Sequence, residues 1–280
     1  MRKIIPLLCF LQWGLIAFSQ EAKPIPYGKN KDAGKFYSIR GIQLYCEVYG
    51  EGQPILFIHG NSQDITAFVN NIPYFSAKYK VIVADSRNHG KSVDKGDSLT
   101  YEMMADDYSA LLEQLHVDSA YVVGWSDGGI EGLLLAIRHP EKVMKLAITG
   151  ANLQPDTLAV YKEVWDIVRP DYETVKKMNP KTGDTLRAWK QVRLLFEQPH
   201  ISLAALHTIR CPTLVIGGDH DVIKPEHTLL ISQHIARSYL WILPNSGHST
   251  PMIYKDLFNK TVDDFFSKPY RRIHDKGRFN

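Results

Sequence analysis

The amino-acid sequence predicts an α/β protein whose central sheet is mostly parallel and doubly wound. Short continuous apolar runs recur along the chain, and such runs are typical of strands buried on both faces of a parallel sheet. Helical stretches separate them, and this alternation favours right-handed crossovers within one sheet. The five runs lie at 55–58, 81–84, 120–123, 146–148 and 213–216.

Two further strands and four helices complete the predicted core. The segment IQLYCEVY at 42–49 alternates apolar and polar residues, as a strand with one solvated face does. A last strand is predicted at 239–243. Helical periodicity is found at 101–115, 128–138, 226–236 and 251–266.

The stretch 152–207 interrupts this alternation. It contains helical patches at 158–168 and 185–196 but no strand pattern, and it is rich in Trp, Tyr and charged residues. Because it lies between two predicted strands of the sheet, it predicts a helical insertion over one edge of that sheet.

Composition limits the classes of function. Of the 280 residues, 44% are hydrophobic and 22% are charged, which is typical of a globular protein and excludes a disordered chain. The formal net charge is only +3, too small for a protein that binds nucleic acid by neutralising phosphates. We therefore expect a small-molecule partner and no nucleic acid.

A basic start and an apolar run precede the predicted core. Two basic residues follow Met1, the segment 4–18 carries no charge, and Ala17 and Ser19 are small residues at positions −3 and −1 of a signal-peptidase site. The run is shorter than the roughly 20 residues of a membrane span. We predict that 1–19 is a cleaved signal peptide, that the protein is periplasmic or secreted, and that no stable membrane insertion follows cleavage. A retained anchor is the alternative.

The strongest motif is GWSDGG at 124–129. It follows the buried strand at 120–123 and opens the helix at 128–138, which is the strand–turn–helix context of a G-x-S-x-G nucleophile elbow. Such a turn raises the Ser126 hydroxyl above the sheet, at a helix N-terminus that favours negative charge on a reacting oxygen. We predict that Ser126 is a nucleophile; the alternative is a glycine turn with a capping serine.

A serine nucleophile needs a base to remove its proton. His248 follows the last predicted strand on a glycine-containing loop, ahead of a helix, where a mobile general base is expected. Between the two late strands, Asp219 and Asp221 compete for the role of the acid that orients the base. The other candidate histidines are His220, His227 and His234.

An oxyanion hole needs two backbone N–H groups near the nucleophile. One is expected from Asp127, directly after the serine. The other is expected from Asn61, in the loop after the strand at 55–58, where Gly60 permits a sharp turn. His59 is expected to brace this loop rather than to react.

Five motifs in this order resemble the α/β-hydrolase superfamily. They are HGN at 59–61, DSRNHGKS at 85–92, GWSDGG at 124–129, GDHD at 218–221 and GH at 247–248. The resemblance covers about residues 37–266 and implies an eight-stranded, mostly parallel sheet flanked by helices, with a helical cap over the serine. It also implies that Asp221 is the acid, that Asp219 is a turn residue, and that the 85–92 segment braces a loop.

This resemblance sets the predicted domain organisation. The boundaries are a signal peptide at 1–19, an N-terminal extension at 20–36, a hydrolase core at 37–151 and 208–267, a helical cap at 152–207 and a polar tail at 268–280.

Within the superfamily, GWSDGGI at 124–130 and RHP at 138–140 are similar to the valacyclovir hydrolase (biphenyl hydrolase-like) group. That group resembles an α-amino-acid ester hydrolase in which the Asp beside the nucleophile helps bind the amino group of the substrate, and Asp127 matches this position. The alternative is that Asp127 caps the following helix. Trp125 and Asn61 are the other residues expected to bind substrate.

The residues predict an exported serine hydrolase that cleaves small carboxylic esters through an acyl-enzyme, and the resemblance implies that α-amino-acid esters are among its substrates. Its triad is Ser126, His248 and Asp221, and the reaction requires no metal or organic cofactor. Hydrolases of carbon–carbon bonds and cofactor-free perhydrolases share the triad and are alternatives. A non-catalytic binding module is an alternative of another class.

Overall fold

The computed structural model describes residues 25–178 and 182–273, so the predicted signal peptide lies outside the described residues. One sheet of eight strands forms the centre of the described chain. The strands are β1 (Gly34–Ile39), β2 (Ile42–Tyr49), β3 (Pro54–Ile58), β4 (Lys80–Ala84), β5 (Ala120–Trp125), β6 (Val143–Thr149), β7 (Thr213–Gly218) and β8 (Ser238–Leu243).

The strands are ordered β1-β2-β4-β3-β5-β6-β7-β8 across the sheet. The β1–β2 and β2–β4 pairs are antiparallel, and the other five neighbouring pairs are parallel. The predicted fold class, a mostly parallel eight-stranded sheet, is confirmed. Because the carboxyl ends of β3 and β5–β8 lie at one edge of the sheet, their following loops collect there.

Strand β1 has no counterpart among the predicted strands. It lies at the edge of the sheet and has no continuous apolar run; Phe36, for example, is 55% exposed. It pairs antiparallel with β2 from Gly34 opposite Glu47 onward, through a tight turn in which Arg40 and Gly41 both have positive φ. The core thus begins at Gly34, three residues before the predicted boundary at 37.

Apolar clusters cover both faces of the sheet. Along β3, Leu56 and Ile58 belong to one cluster, whereas Ile55 and Phe57 belong to the other. This alternation explains the continuous apolar run, because both faces of the strand are buried. The helices of the described residues are α1 (Ile72–Ser76), α2 (Tyr101–Gln114), α3 (Asp127–Arg138), α4 (Lys162–Lys177), α5 (Gly183–Glu197), α6 (Leu203–Leu206), α7 (Pro225–Gln233), α8 (Thr250–Ile253) and α9 (Lys255–Ser267).

The predicted helix at 251–266 is divided in the structure into α8 and α9. Tyr254 separates them, and its hydroxyl donates to the backbone carbonyl of Asn245. This contact ties the helix break to the loop that carries His248.

Helices α4 and α5 form the main part of the insertion between β6 and β7. They pack on each other through aromatic contacts: Trp165 and Phe196 have ring centroids 5.0 Å apart, and Tyr172 stacks on Phe196 at 4.4 Å. A β-bridge between Val160 and Ile223 joins the start of the insertion to the loop after β7. Two helices therefore lie where the sequence predicts a cap.

Both cysteines of the described chain, Cys46 and Cys211, are buried free thiols. Burial raises the pKa of Cys211 to about 11, and burial also raises the pKa of Cys46. Thiolate formation is suppressed at both positions, so neither is a nucleophile near neutral pH. Within residues 25–178 and 182–273, no helix is long and apolar enough to cross a membrane.

Candidate active site

Ser126 lies on the turn between β5 and α3, with φ 59° and ψ −121°. Its backbone N–H donates to the carbonyl of Thr149 at 2.8 Å, which helps to hold this strained conformation. The flanking glycines allow close packing: a Cβ on Gly124 would lie 2.1 Å from the Gly128 oxygen, and one on Gly128 would lie 2.0 Å from the Ile58 oxygen. This is the geometry of a nucleophile elbow.

Three residues predicted as a triad form one chain of hydrogen bonds. Ser126 Oγ lies 2.9 Å from Nε2 of His248, and His248 Nδ1 lies 2.6 Å from Oδ1 of Asp221. Asp221 is 2% exposed, and its Oδ1 also accepts from the N–H of Ile223 at 3.1 Å. A carboxylate that accepts from Nδ1 selects the tautomer in which Nε2 can receive the serine proton.

The competing acid, Asp219, has a different environment. Its side chain is 39% exposed, and its carboxylate accepts from the N–H of Ser246 at 3.0 Å. The backbone N–H groups of Asn245 and Ser246 lower the pKa of Asp219. The structure thus brings Asp221 to His248 and uses Asp219 to brace the turn that leads to it.

The other three histidines have no place in this hydrogen-bond chain. The side chain of His220 is 75% exposed. Nε2 of His227 accepts from the N–H of Leu153 at 3.0 Å, and burial lowers the pKa of His227. His234 donates from Nδ1 to a carbonyl of its own helix at 2.8 Å.

A cavity of about 120 Å³ opens above Ser126. Beside the serine, its lining is polar and includes Tyr101, Asp127 and His248. The cap and the loop after β7 supply a lining that is mainly apolar: Val160, Val164, Trp165, Val168, Leu195, Val222 and Ile223. Within the described part of the chain, no group of three His, Cys, Asp or Glu side chains is placed to hold a metal ion.

Trp125 supports the loop that carries His248 instead of lining this cavity. It is 2% exposed, and its Nε1 donates to the backbone carbonyl of His248 at 2.8 Å. The sequence predicted Trp125 as a substrate-binding residue, but the structure places its indole in the core beneath the catalytic loop. No local pattern signals this bond, because its partners are 123 residues apart.

The loop after β3 approaches the nucleophile closely. A Cβ on Gly60 would lie 3.0 Å from the Cβ of Ser126, so any other residue here would require its neighbours to shift by a few tenths of an ångström. Among the described residues, the backbone N–H groups of Asn61 and Asp127 have no hydrogen-bond acceptor. Both N–H groups belong to segments that flank the serine, as an oxyanion hole requires.

His59 braces the same loop. Its Nε2 accepts from the N–H of Ser86 at 2.9 Å, and its Nδ1 donates to the carbonyl of Gly60 at 2.8 Å. Burial lowers the pKa of His59 to about 4, so its imidazole is neutral at physiological pH. Its bonds are those of a structural histidine, in agreement with the expectation from sequence.

The carboxyl group of Asp127 is buried at the base of the cavity. Nδ2 of Asn61 donates to its Oδ2 at 2.8 Å, and the hydroxyl of Tyr101 donates to it as well. Burial raises the pKa of Asp127 to about 6, although these two bonds and the nearby His248 favour the ionised form. A buried carboxyl with a pKa raised to about 6 therefore lies next to Ser126.

Tyr101 was not identified from the sequence. It is the first residue of α2 and is 1% exposed, and it would pass for an ordinary core aromatic. Asn61 was expected to bind substrate, but its side chain bonds to Asp127 and, at 3.0 Å, to the carbonyl of Gln191 in the cap. Both contacts join distant segments, so no local sequence signal reveals them.

Comparisons with known proteins agree with this architecture. A family model described as the alpha/beta hydrolase fold matches residues 53–188. The proteins named serine hydrolase BPHL from Mus musculus and Homo sapiens are each 27% identical over 245 residues, covering 81% of this chain and 84% of theirs.

One further relative and one solved structure carry different names. The 2-hydroxymuconate semialdehyde hydrolase of Pseudomonas sp. (strain CF600) is 26% identical and covers 85% of this chain and 95% of its own. The crystal structure of the enol-lactonase from Burkholderia xenovorans LB400 has a TM-score of 0.72 at 21% identity, covering 84% of this chain and all of the other. The second match concerns the fold alone.

The strand order of the sheet, the turn that carries Ser126 and the match to the family model together indicate a hydrolase with the α/β-hydrolase fold. The chain has the α/β-hydrolase fold; it resembles the alpha/beta hydrolase family over residues 53–188 and the BPHL (valacyclovir hydrolase) proteins over most of its length. The resemblance predicted from the sequence is confirmed at both levels.

Gly150 offers a test of how closely the general base is held. Its φ is +65°, and a Cβ there would lie 2.7 Å from Cε1 of His248. We expect Gly150→Ala to displace the imidazole and to lower kcat by about 100-fold, because small errors in the position of a catalytic group are costly. The measurement is kcat on an activated ester.

Gly41→Ala is the matched control. Gly41 also has a positive φ, +88°, but nothing lies within 4 Å of its Cβ position. Both variants should lose about 1 kcal/mol of unfolding free energy to backbone strain, and only Gly150→Ala should lose activity. Unchanged kcat in Gly150→Ala would show that His248 has room to move.

Proposed function

We propose that the protein is a serine hydrolase that cleaves small carboxylic esters through an acyl-enzyme. The observation that carries the proposal is the continuous chain from Ser126 through His248 to the buried Asp221, with contacts of 2.9 and 2.6 Å. A non-catalytic binding module has no need for a nucleophile, a base and an acid held at bonding distance.

The proposed mechanism follows from the roles of these groups. Ser126 Oγ attacks the ester carbonyl while Nε2 of His248 takes its proton. Asp221 keeps Nδ1 protonated and stabilises the imidazolium that forms. His248 then gives the proton to the departing alcohol oxygen, and in the second half it activates water to release the acid.

The backbone N–H groups of Asn61 and Asp127 are assigned the role of stabilising the oxyanion of the tetrahedral intermediate. They lie in the segments that flank Ser126 and have no acceptor among the described residues. Fixed donors aimed at a developing oxyanion need no reorganisation during the reaction, and each is worth several kcal/mol.

For the substrate, we propose α-amino-acid esters with an apolar side chain. Asp127 places a carboxyl group next to the nucleophile and lines the cavity, and an ammonium group is its natural partner. The apolar lining supplied by the cap suits a side chain of modest size, since the cavity volume is only about 120 Å³. The relatives named serine hydrolase BPHL are compatible with this assignment.

Hydrolysis of carbon–carbon bonds is the second candidate, and the names of relatives such as 2-hydroxymuconate semialdehyde hydrolase favour it. Substrates of that kind carry a carboxylate, and no Lys or Arg is found among the described residues that line the cavity. The carboxyl of Asp127 would oppose such a substrate. If the protein hydrolyses a dienoate faster than it hydrolyses simple esters, it is a carbon–carbon bond hydrolase and not an esterase. If it forms peracids instead, it is a cofactor-free perhydrolase.

We further propose that the protein acts outside the cytoplasm. The support is the basic start followed by an uncharged apolar run at 4–18 and small residues at the cleavage positions. Sequencing the N-terminus of protein recovered from the periplasm or medium should give Gln20 as the first residue. Recovery of the intact chain in the membrane fraction would indicate an anchor instead.

Ser126→Ala tests the nucleophile. Without the hydroxyl there is no acyl-enzyme, so ester turnover should fall by a factor on the order of 10⁶ while the fold and Tm are retained. A fluorophosphonate probe should label the wild type and not the variant. Labelling of neither protein would favour a binding module, and equal activity in both would exclude Ser126 as the nucleophile.

The role of Asp127 is tested by charge-matched substrates. We compare kcat/KM for an α-amino ester with that for the same ester lacking the amino group, so that pH effects common to both substrates cancel in the ratio. Because the pKa of Asp127 is raised to about 6, its carboxylate is lost as the pH falls through that value, and the preference for the cationic ester should fall with it.

Asp127→Asn is the matched variant, since it keeps shape and a hydrogen-bond acceptor but removes the charge. It should lower kcat/KM for the amino ester about 30-fold or more, leave kcat/KM for the neutral ester undiminished, and abolish the fall of the ratio below about pH 6. An equal loss on both esters would assign Asp127 to the helix cap or the oxyanion hole alone.

A further inference from the structure

Lys190 is a lysine enclosed in the interface between the cap and the core. It lies in α5 and is 1% exposed. Its Nζ donates to the carbonyl of Asp94 at 2.9 Å, to the Asp94 carboxylate at 3.0 Å and to the carbonyl of Gly96 at 2.9 Å. All three ammonium protons are therefore directed at the core loop after β4.

The core side of this contact is itself fixed by buried charge. Asp94 also faces Arg87, with Nη1 and Oδ1 3.5 Å apart. The guanidinium of Arg87 binds the carboxylate of Asp107 in α2 with two bonds, at 2.6 and 2.8 Å. The result is a row of alternating charges from α2 through the loop to the cap, and the DSRNHGKS motif supplies its central arginine.

Gln191, the residue after Lys190, is linked to the active site by hydrogen bonds. The backbone carbonyl of Gln191 accepts from Nδ2 of Asn61 at 3.0 Å, and the same Nδ2 donates to the carboxylate of Asp127 at 2.8 Å. One amide group thus bridges the cap and the residue next to the nucleophile. The Gln191 side chain adds a bond to the carbonyl of Asn88 at 3.0 Å.

We propose that Lys190 is a positioning residue: by fixing α5 to the core, it sets the Gln191 carbonyl that orients Asn61, and through Asn61 it aligns the oxyanion loop with Asp127. The inference rests on the proposed function, because it assigns a consequence to the N–H groups of Asn61 and Asp127. The buried ion pair of Lys190 and Asp94 would thus help to position the groups that bind the oxyanion.

The energetics of burial agree with such a role. Desolvation of an ammonium and a carboxylate is costly, and the attraction within the pair offsets this cost only when the geometry is good. A well-packed apolar residue would hold the cap at least as firmly. The three hydrogen bonds from Nζ differ from an apolar contact because they have fixed directions. They therefore set the position of α5 relative to the core loop.

The test is a double-mutant cycle between Lys190→Met and Asn61→Ala, read out as the rate at which a fluorophosphonate labels Ser126. In this reaction Ser126 Oγ displaces fluoride from phosphorus and His248 takes the proton, so the rate reports nucleophile and oxyanion hole whatever the natural substrate. Alanine at position 61 keeps the backbone N–H and removes only the side-chain amide.

Each single variant should slow labelling about tenfold, and the double variant should be no slower than Asn61→Ala alone, because both changes interrupt one path. Asp94→Asn attacks the same contact from the core side and serves if Lys190→Met does not fold. It should slow labelling in the wild-type background and leave the Asn61→Ala rate unchanged.

Lys145→Met is the matched control. Nζ of Lys145 also donates to three backbone carbonyls, those of Phe265, Phe266 and Lys268, but these belong to α9 and the residue after it. This variant should lose stability, measured as Tm, and keep the labelling rate. This control distinguishes the loss of stability that follows removal of any hydrogen-bonded lysine from a specific loss of labelling rate at Ser126.

Two results would overturn the inference. A double variant about a hundredfold slower than wild type would show that the two residues act independently, and an equal loss of rate in Lys145→Met would show that stability alone is responsible. In both cases, labelling of the wild type would still support the proposed hydrolase function. A wild type that the probe does not label would refute the proposed function and, with it, the inference.

Discussion

The close packing of the turn after β5 is the constraint on which the rest of the site depends. Ser126 holds a left-handed backbone conformation, and Gly128 lies so near the end of β3 that a Cβ would be 2.0 Å from the Ile58 oxygen. This proximity brings the loop after β3 next to the serine, and with it the N–H of Asn61. The turn thus exposes Ser126, the proposed nucleophile, and brings close to it a backbone N–H proposed to bind the oxyanion.

His248, the proposed general base, is held near this turn by contacts other than those with Ser126 and Asp221. Trp125 precedes the serine and donates to the carbonyl of His248 at 2.8 Å, while Gly150 leaves just enough space for the imidazole. Asp219 braces the turn before the histidine. Strands β5, β6 and β7 therefore each contribute a residue at their carboxyl ends, and parallel pairing fixes the distances among those residues.

Sequence patterns predicted those features that are encoded locally. Buried parallel strands are continuous apolar runs, and the elbow, the histidine loop and the turn with Asp219 and Asp221 all follow predicted strands. The resemblance to α/β hydrolases, and no local pattern, favoured Asp221 over Asp219. Strand β1 was missed because an exposed edge strand has no apolar run. The bonds of Trp125, Tyr101 and Asn61 were missed because each joins segments distant in sequence, so only the assembled sheet and cap bring the partners together.

Asp127 poses an electrostatic problem whose solution bears on the substrate. A carboxylate beside the nucleophile opposes the negative charge that develops on the carbonyl oxygen during attack. Donation from Asn61 and Tyr101 spreads its charge but does not cancel it, and burial raises its pKa to about 6. A substrate that brings its own cation would neutralise the carboxylate at the moment of reaction. In the proposed reaction, the ammonium group thus serves catalysis as well as binding, and a neutral ester would react against an uncompensated charge.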